Sequence, residues 1–352
     1  MNNPETPKAP AAPPPATNRM NLTKKEYEGA ASTLCRGCGH DAITASIIQA
    51  CYDNDIDPRA VIKLSGIGCS AKTTNYFMNS SFGFNGTHGR MAARATGAGL
   101  ANASLLPIGV SGDGDTGSIG LGNFAHMVRR RLKCCYIIEN NGVYGLTKGQ
   151  FSATADLGTK LKKGGANPFE AIDLPQFALM MGATFVARSF SGDRKQLAPL
   201  LQAALKHRGT AVIDVLSPCV TFNDHEGSTK SLKSIRENRD ALNELDFIPP
   251  YEQVEIDQKP GTDMRVSMNE GGWITLHKLK DHDPTDRLAA TTLLEKMKHQ
   301  NKFVTGLIYI NEEEPDLAAI EKLTDKPLAY LTERELRPSS KELDDINAGL
   351  MI

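Results

Sequence analysis

The feature that most constrains this chain is the stretch from Leu105 to Gln150, where two short apolar runs each end in a small polar loop. The first run, Leu105 to Ser111, reads as a buried strand and ends in Gly112-Asp113-Gly114-Asp115. A helical pattern follows from about Ser118 to Arg131, and a second apolar run, Cys134 to Ile138, ends in Glu139-Asn140-Asn141-Gly142-Val143-Tyr144-Gly145. Glycines on both sides of Asp113 let the chain turn with no Cβ in the way and leave a carboxylate at the strand's carboxyl end. A helical crossover sets the next parallel strand beside the first, which brings Asn141 near Asp113. The Asp113 carboxylate, the Asn141 amide oxygen and a free carbonyl at Val143 form half a shell of hard oxygens, a shell that suits Mg²⁺ when phosphates complete it. The glycines and the helix N-terminus near Thr116 to Ser118 offer N–H groups to the same phosphates. Either half alone is an ordinary strand, turn and helix; together they favour a cofactor site.

Gly-Asp-Gly followed one helix and one strand later by Asn-Asn resembles the diphosphate-and-metal motif of thiamine-diphosphate enzymes. The resemblance implies that Asp113 and Asn141 bind the metal through their side chains and Val143 through its carbonyl.

The chain is 352 residues long and 40% hydrophobic, enough for one sizeable core and a smaller appendage. A formal net charge of −1 supplies no basic field for nucleic acid or an anionic membrane. No apolar run approaches the ~20 residues that span a bilayer, and the polar, proline-rich N-terminus has no signal-peptide core, so a cytoplasmic protein is expected. Seven cysteines without an export signal speak for metal ligands or buried thiols rather than disulfides. They sort by position. Cys35 and Cys38 form a Cys-x-x-Cys in Cys35-Arg36-Gly37-Cys38-Gly39-His40. Cys69 lies in the loop Gly66-Ile67-Gly68-Cys69-Ser70-Ala71-Lys72 after a strand Ala60 to Leu64, and Cys219 lies just past a strand Ala211 to Leu216. Cys51, Cys134 and Cys135 fall inside a helix and a strand, where they pack as small hydrophobes. Four loop thiols make a Cys₄ site, which zinc or an iron–sulfur cluster would fit.

The cysteine spacing, the Cys-x-Gly-Cys-Gly-His opening, Gly-Ile-Gly-Cys-Ser and Tyr144-Gly145-Leu146-Thr147-Lys148-Gly149-Gln150 together resemble the β subunit of 2-oxoacid:ferredoxin oxidoreductases over roughly residues 30 to 230, and the tail with its Asp283-Pro284-Thr285-Asp286-Arg287 resembles the extension of the 2-oxoglutarate type. Arg36 departs from the proline commoner in that opening. The resemblance implies that Cys35, Cys38, Cys69 and Cys219 hold a [4Fe–4S] cluster beside thiamine diphosphate and Mg²⁺. It implies further cofactor contacts from Gly112, Gly114, Asp115, Gly145 and Leu146, from Gly68, Ser70 and His40 beside the cysteines, and from Arg90. His88, in His88-Gly89-Arg90, is placed near the thiamine ring. Lys148 is a fixed charge that pre-orients the carboxylate of a 2-oxoacid, and Lys72 is a candidate for a second carboxylate. The implied activity is oxidative decarboxylation to an acyl-coenzyme A, with ferredoxin as electron acceptor and the reverse carboxylation at the same site. Pyruvate or a branched-chain acid is the alternative substrate, and a zinc-bearing scaffold or a non-redox thiamine enzyme the alternative of another class. No second βα unit large enough to hold the pyrimidine is legible, which implies a separate α subunit and a heterodimer or (αβ)₂.

From Asp173 the pattern reads helix (Leu174 to Met181), strand (Ala183 to Ala187), helix (Asp193 to His207), strand (Ala211 to Leu216), the alternation of an α/β doubly wound, mostly parallel sheet, which the resemblance implies is of the thiamine-diphosphate-binding kind. Three regions are expected: a disordered Pro/Ala-rich arm over 1–20, a thiamine-diphosphate and [4Fe–4S] domain over 21–230, and a C-terminal extension over 231–352 for packing or partner docking. In the extension a charged helix should run to about Leu245, followed by a hairpin (Met264 to Met268 and Trp273 to Leu279), a helix from Arg287 capped by Asp283 to Asp286, and a strand Phe303 to Ile310.

Overall fold

Alternate residues of the central strands belong to two different hydrophobic clusters, and that alternation explains the three-layer architecture of the computed structural model, which describes residues 16–162, 165–249, 263–278 and 280–351. On the strand Cys134–Asn140, Cys135 and Ile137 face one cluster while Cys134, Tyr136 and Ile138 face the other. Each face therefore needs a cover. One is covered by the helices α1 (Gly39–Asp53) and α5 (Arg194–Lys206), the other by α2 (Met91–Ala101), α3 (Leu121–Arg129), α4 (Leu174–Met181) and α7 (Arg287–His299). The short helix Leu232–Asn238 is α6.

Thirteen strands are present among the described residues: β1 (Val61–Ser65), β2 (Phe82–Asn85), β3 (Leu106–Gly112), β4 (Cys134–Asn140), β5 (Val143–Tyr144), β6 (Gln150–Phe151), β7 (Phe185–Phe190), β8 (Thr210–Leu216), β9 (Arg239–Ala241), β10 (Asn243–Ile248), β11 (Asp263–Ser267), β12 (Trp273–Lys278) and β13 (Phe303–Ile310). Eight of them form one sheet in the order β2-β1-β3-β4-β8-β7-β13-β9. Strands β2, β1, β3, β4, β8 and β7 run parallel, so their carboxyl ends share one edge. Onto that edge open the loops that carry Cys69, Asp113, Asn141 and Cys219. The antiparallel neighbour of β7 is β13, which comes from beyond residue 300. The main sheet therefore draws on both sides of residue 230.

Helix starts follow their caps. Asp173, Asp193 and Asp286 accept from the N–H three residues on, and α4 ends at Gly182 with φ 93°. Two expectations are corrected. The helix expected over 118–131 is broken: Asp115–Ile119 is a wide π-type turn and α3 starts at Leu121. A Cβ on Gly120 would press on the Asp115 and Gly89 carbonyls, so the chain passes there only by way of glycine. The helix expected to reach Leu245 ends at Asn238 and gives way to β9 and β10, where Asn243 and Leu245 are buried while Glu244 and Asp246 are exposed. That two-residue period is a strand's. The expected hairpin exists as β11 and β12, joined by β10 into a three-stranded antiparallel sheet; Leu279 lies outside the described residues. So do residues 1–15 of the expected arm, whereas Asn18 is held by hydrogen bonds to the Tyr27 hydroxyl and the Tyr52 carbonyl. Among the described residues no helix is long and apolar enough to cross a membrane.

One buried ion network ties the sheet to α4. Arg188 Nε donates to Asp214 at 2.9 Å and its Nη2 to Asp173 at 2.7 Å, with Asp214 only 1% exposed. Replacing Arg188 by leucine leaves that carboxylate buried without its cation. It is expected to lower unfolding stability by about 3 kcal/mol, read as a shifted denaturation midpoint.

Candidate cofactor site

Asp113 leaves the end of β3 and is buried at 1% exposure. One carboxylate oxygen accepts from the Asn141 N–H at 3.3 Å, and the other from the hydroxyls of Thr154 (2.7 Å) and Ser152. Burial raises the affinity of this carboxyl for its proton; those hydrogen bonds and the nearby Lys230 charge act against it. Asn141 begins the loop after β4, and its Oδ1 accepts from the Val143 N–H at 3.0 Å. The carboxylate, amide and hairpin thus lie together, as half an oxygen shell for a divalent cation requires. The first asparagine, Asn140, serves a different purpose: it donates to Asp214 at 3.0 Å and accepts from Thr154.

Sequence reasoning missed Ser152, Thr154, Asn223 and Lys230. Asn223 donates to the Asn141 carbonyl at 2.8 Å, and the Lys230 ammonium donates to the Thr154 carbonyl at 2.6 Å and to Asp156 at 2.8 Å. No local motif marks these residues, because the β5–β6 hairpin and the segment after β8 bring them in from elsewhere.

Asp115 turns its carboxylate toward the surrounding loops. It accepts from the N–H groups of Ile67 (3.2 Å) and Gly89 (2.6 Å), from the Ser111 hydroxyl (2.7 Å) and from the His88 ring. One buried carboxyl thereby ties the cysteine-bearing loop after β1 to the His88-Gly89-Arg90 loop and to β3. His88 stacks edge-on against Tyr144, whose hydroxyl donates to the Gly114 carbonyl at 3.1 Å. A Cβ on Gly114 would strike the Tyr144 ring, and one on Gly112 would meet Ser70 Oγ at 2.9 Å. Arg90, Leu146 and Lys148 are exposed, Lys148 with a left-handed φ of 77°.

The four loop thiols converge. A Cβ added to Gly145 would lie 3.4 Å from Cys219 Sγ and 3.7 Å from Cys69 Sγ. The Cys38 thiol is pushed up to about 12, first by burial and then by the charges of Glu139 and Cys219, while the His40 N–H donates to its sulfur. Burial likewise raises Cys69, helped by Cys219 and Cys35 and opposed by the Lys72 ammonium. Cys51, Cys134 and Cys135 lie apart, buried in the two cores. Among the described residues no three histidine, cysteine or acidic side chains are drawn together tightly enough to hold a single metal ion. Alanine at position 145 is compatible with the apoprotein, since these are ordinary contact distances, but it fills space beside two thiols. Gly145→Ala is expected to unfold like wild type and to retain about half or less of the iron, measured on anaerobically purified protein.

A further cavity of about 430 Å³ has Thr154, Asp156, Arg188, Asp214 and Lys230 in its wall, and these charges pair with one another.

Residues 66–215 match the family model described as thiamine pyrophosphate enzyme, C-terminal TPP binding domain. The 2-oxoacid:ferredoxin oxidoreductase subunit beta of Sulfolobus sp is 40% identical over 221 residues, 62% of this chain and 70% of that protein. Its counterpart from Saccharolobus solfataricus is 44% identical over 54% of this chain and 63% of the relative, so less than two thirds of that relative's length is spanned. The 2-oxoglutarate synthase subunit KorB of Methanocaldococcus jannaschii is 34% identical over 60% of this chain and 79% of that protein. A solved structure, 2-oxoglutarate:ferredoxin oxidoreductase from Magnetococcus marinus with 2-oxoglutarate, coenzyme A and succinyl-CoA bound, aligns with 94% of this chain and 97% of that chain at a TM-score of 0.70 and 29% identity. Identity of this extent over most of a relative, on a shared fold, means that the chain belongs to the family of 2-oxoacid:ferredoxin oxidoreductase β subunits.

Proposed function

We propose that this chain is the β subunit of a cytoplasmic 2-oxoglutarate-type oxidoreductase that works with an α subunit. The pair would convert a 2-oxoacid and coenzyme A into an acyl-coenzyme A and CO₂, passing two electrons through a [4Fe–4S] cluster to ferredoxin. One observation carries the reading: Gly145, four residues past Asn141, abuts two of the four loop thiols. The oxygen-lined loop and the cysteine pocket therefore share a wall.

When bound, thiamine diphosphate supplies a nucleophilic carbon for the 2-oxoacid carbonyl, and the cluster supplies a one-electron acceptor beside it. The residues of this chain bind and orient. Asp113, Asn141 and the Val143 carbonyl would hold Mg²⁺, and Cys35, Cys38, Cys69 and Cys219 the cluster. Asp115 braces the His88 loop and the loop after β1 against each other. Lys148 presents a positive charge at the exposed rim, where a substrate carboxylate would arrive; Lys72, half-buried with its charge near Cys69, would meet a second carboxylate. The M. marinus enzyme binds 2-oxoglutarate, which supports the dicarboxylate, and the 2-oxoacid names of other relatives keep pyruvate as the second reading.

The αβ complex should reduce ferredoxin or a viologen with 2-oxoglutarate and coenzyme A. Lys72→Met should lower turnover of 2-oxoglutarate more than that of pyruvate. No turnover of any 2-oxoacid by an iron-loaded complex would sink the reading.

A further inference from the structure

Four polar side chains close to the cysteines connect, directly or through one another, to one buried carboxyl, that of Glu139. Thr73, four residues after Cys69, donates its hydroxyl to Glu139 at 3.1 Å from each oxygen, and the Ser70 hydroxyl bonds to the same carboxyl. His40, two residues after Cys38, sets Nδ1 2.8 Å from the hydroxyl of Ser217, which stands two residues before Cys219. The same Nδ1 is 3.6 Å from Glu139 Oε2. Glu139, Thr73 and Ser217 are wholly buried, and His40 is 1% exposed. The neighbouring Gly39 packs so closely on the Ser191 and Ser217 hydroxyls that a Cβ would sit 2.5 Å from both.

We propose that Glu139, His40, Ser217, Ser70 and Thr73 are positioning residues that hold the three cysteine segments in register with one another and with β4, which leads into Asn141. The proposal rests on the reading of the four thiols as cluster ligands. The segments are far apart in the chain: Ser217 lies 177 residues from His40, and Glu139 66 from Thr73. The sheet brings the segments after β1 and β8 to one edge through β3 and β4, and these side-chain hydrogen bonds add cross-ties between them and the segment before α1. The node is also stiff. Hydroxyl and ring groups in a low-dielectric interior lose much if they part, because no water takes their place. Glu139 stands near the end of β4, two residues before Asn141 begins the loop, so the same carboxyl that spaces the thiols also references them to the metal loop.

The test uses the assembled αβ complex with Ser217→Ala, Thr73→Val, Glu139→Leu and Glu139→Gln. The readouts are the rate of iron loss to a chelator, followed as visible absorbance, and the midpoint potential of the cluster. Losing a hydrogen bond that orients a ligand typically costs 10–100-fold in metal affinity, so Ser217→Ala and Glu139→Leu should shed iron at least ~10-fold faster and shift the potential. Glu139→Gln, which keeps both shape and acceptor, should stay within about twofold of wild type. Should the leucine variant not fold, Thr73→Val carries the same expectation. Wild-type iron loss and potential in folded Ser217→Ala and Thr73→Val would overturn the node while leaving the cluster reading intact. An iron-free wild-type complex would overturn the cluster reading itself, and this proposal with it.

Discussion

Serine in place of Cys219 is expected to strip the αβ complex of most of its iron and to cut 2-oxoacid-dependent ferredoxin reduction by at least about 1,000-fold, roughly 4 kcal/mol of barrier. Cys219 touches the same space beside Gly145 as Cys69, and its charge is felt at both Cys38 and Cys69. A thiolate binds iron as an anion, whereas a serine hydroxyl hardly ionises at neutral pH, so one corner of the ligand set is lost. The magnesium loop is built from other side chains, and thiamine diphosphate should still bind to the variant. Cys51→Ala provides the contrast: Cys51 is fully buried in the core between α1 and the sheet, so its loss should cost about 1 kcal/mol of stability and no iron. Iron content and visible absorbance decide the matter. Full iron and normal turnover in the serine variant would remove Cys219 from the site.

The second large effect is expected at Asp113. Asparagine there keeps the shape but removes the only side-chain carboxylate of the proposed oxygen shell. The dissociation constant for thiamine diphosphate in the presence of Mg²⁺ should rise at least ~100-fold, about 2.7 kcal/mol, when titrated on the αβ complex. The apoprotein should respond in the opposite sense. Burial is the largest influence on Asp113 and raises its carboxyl above the ordinary range, which means that the charged form costs stability in the folded chain at neutral pH. A neutral amide relieves that cost, so Asp113→Asn apoprotein should melt at or above the wild-type temperature. Loss of cofactor binding together with unimpaired folding separates a binding role from a packing one. Unchanged magnesium-dependent affinity would sink the assignment.

How much of this was legible in advance differs from element to element. Strand and helix alternation from Asp173 to Leu216 was readable because each element buries a continuous or one-sided apolar set, and the structure places the ends of those elements within three residues of the pattern. The stretch 232–248 misled. Its charges suggest a solvated helix, while the burial of Leu245 against the main core comes from packing that a local window does not contain. Asp115 is a different case. The resemblance implies a cofactor contact from it, while the hydrogen bonds that its carboxylate accepts from two N–H groups, a hydroxyl and a histidine ring come from loops that a local window does not contain.

By itself the sequence determined which groups were available: seven thiols sorted into loops and elements, a carboxylate and an amide at the ends of successive strands, and glycines where the backbone must pass close. Those are local matters of residue type and period. Only the tertiary structure decided that Ser152, Thr154, Asn223 and Lys230 surround the Asp113–Asn141 pair, that Gly145 meets two thiols, and that Glu139 lies against Thr73 and His40. The reason is the parallel sheet, which brings the carboxyl ends of strands distant in sequence to a single edge and sets their spacing through contacts that no short stretch of chain encodes.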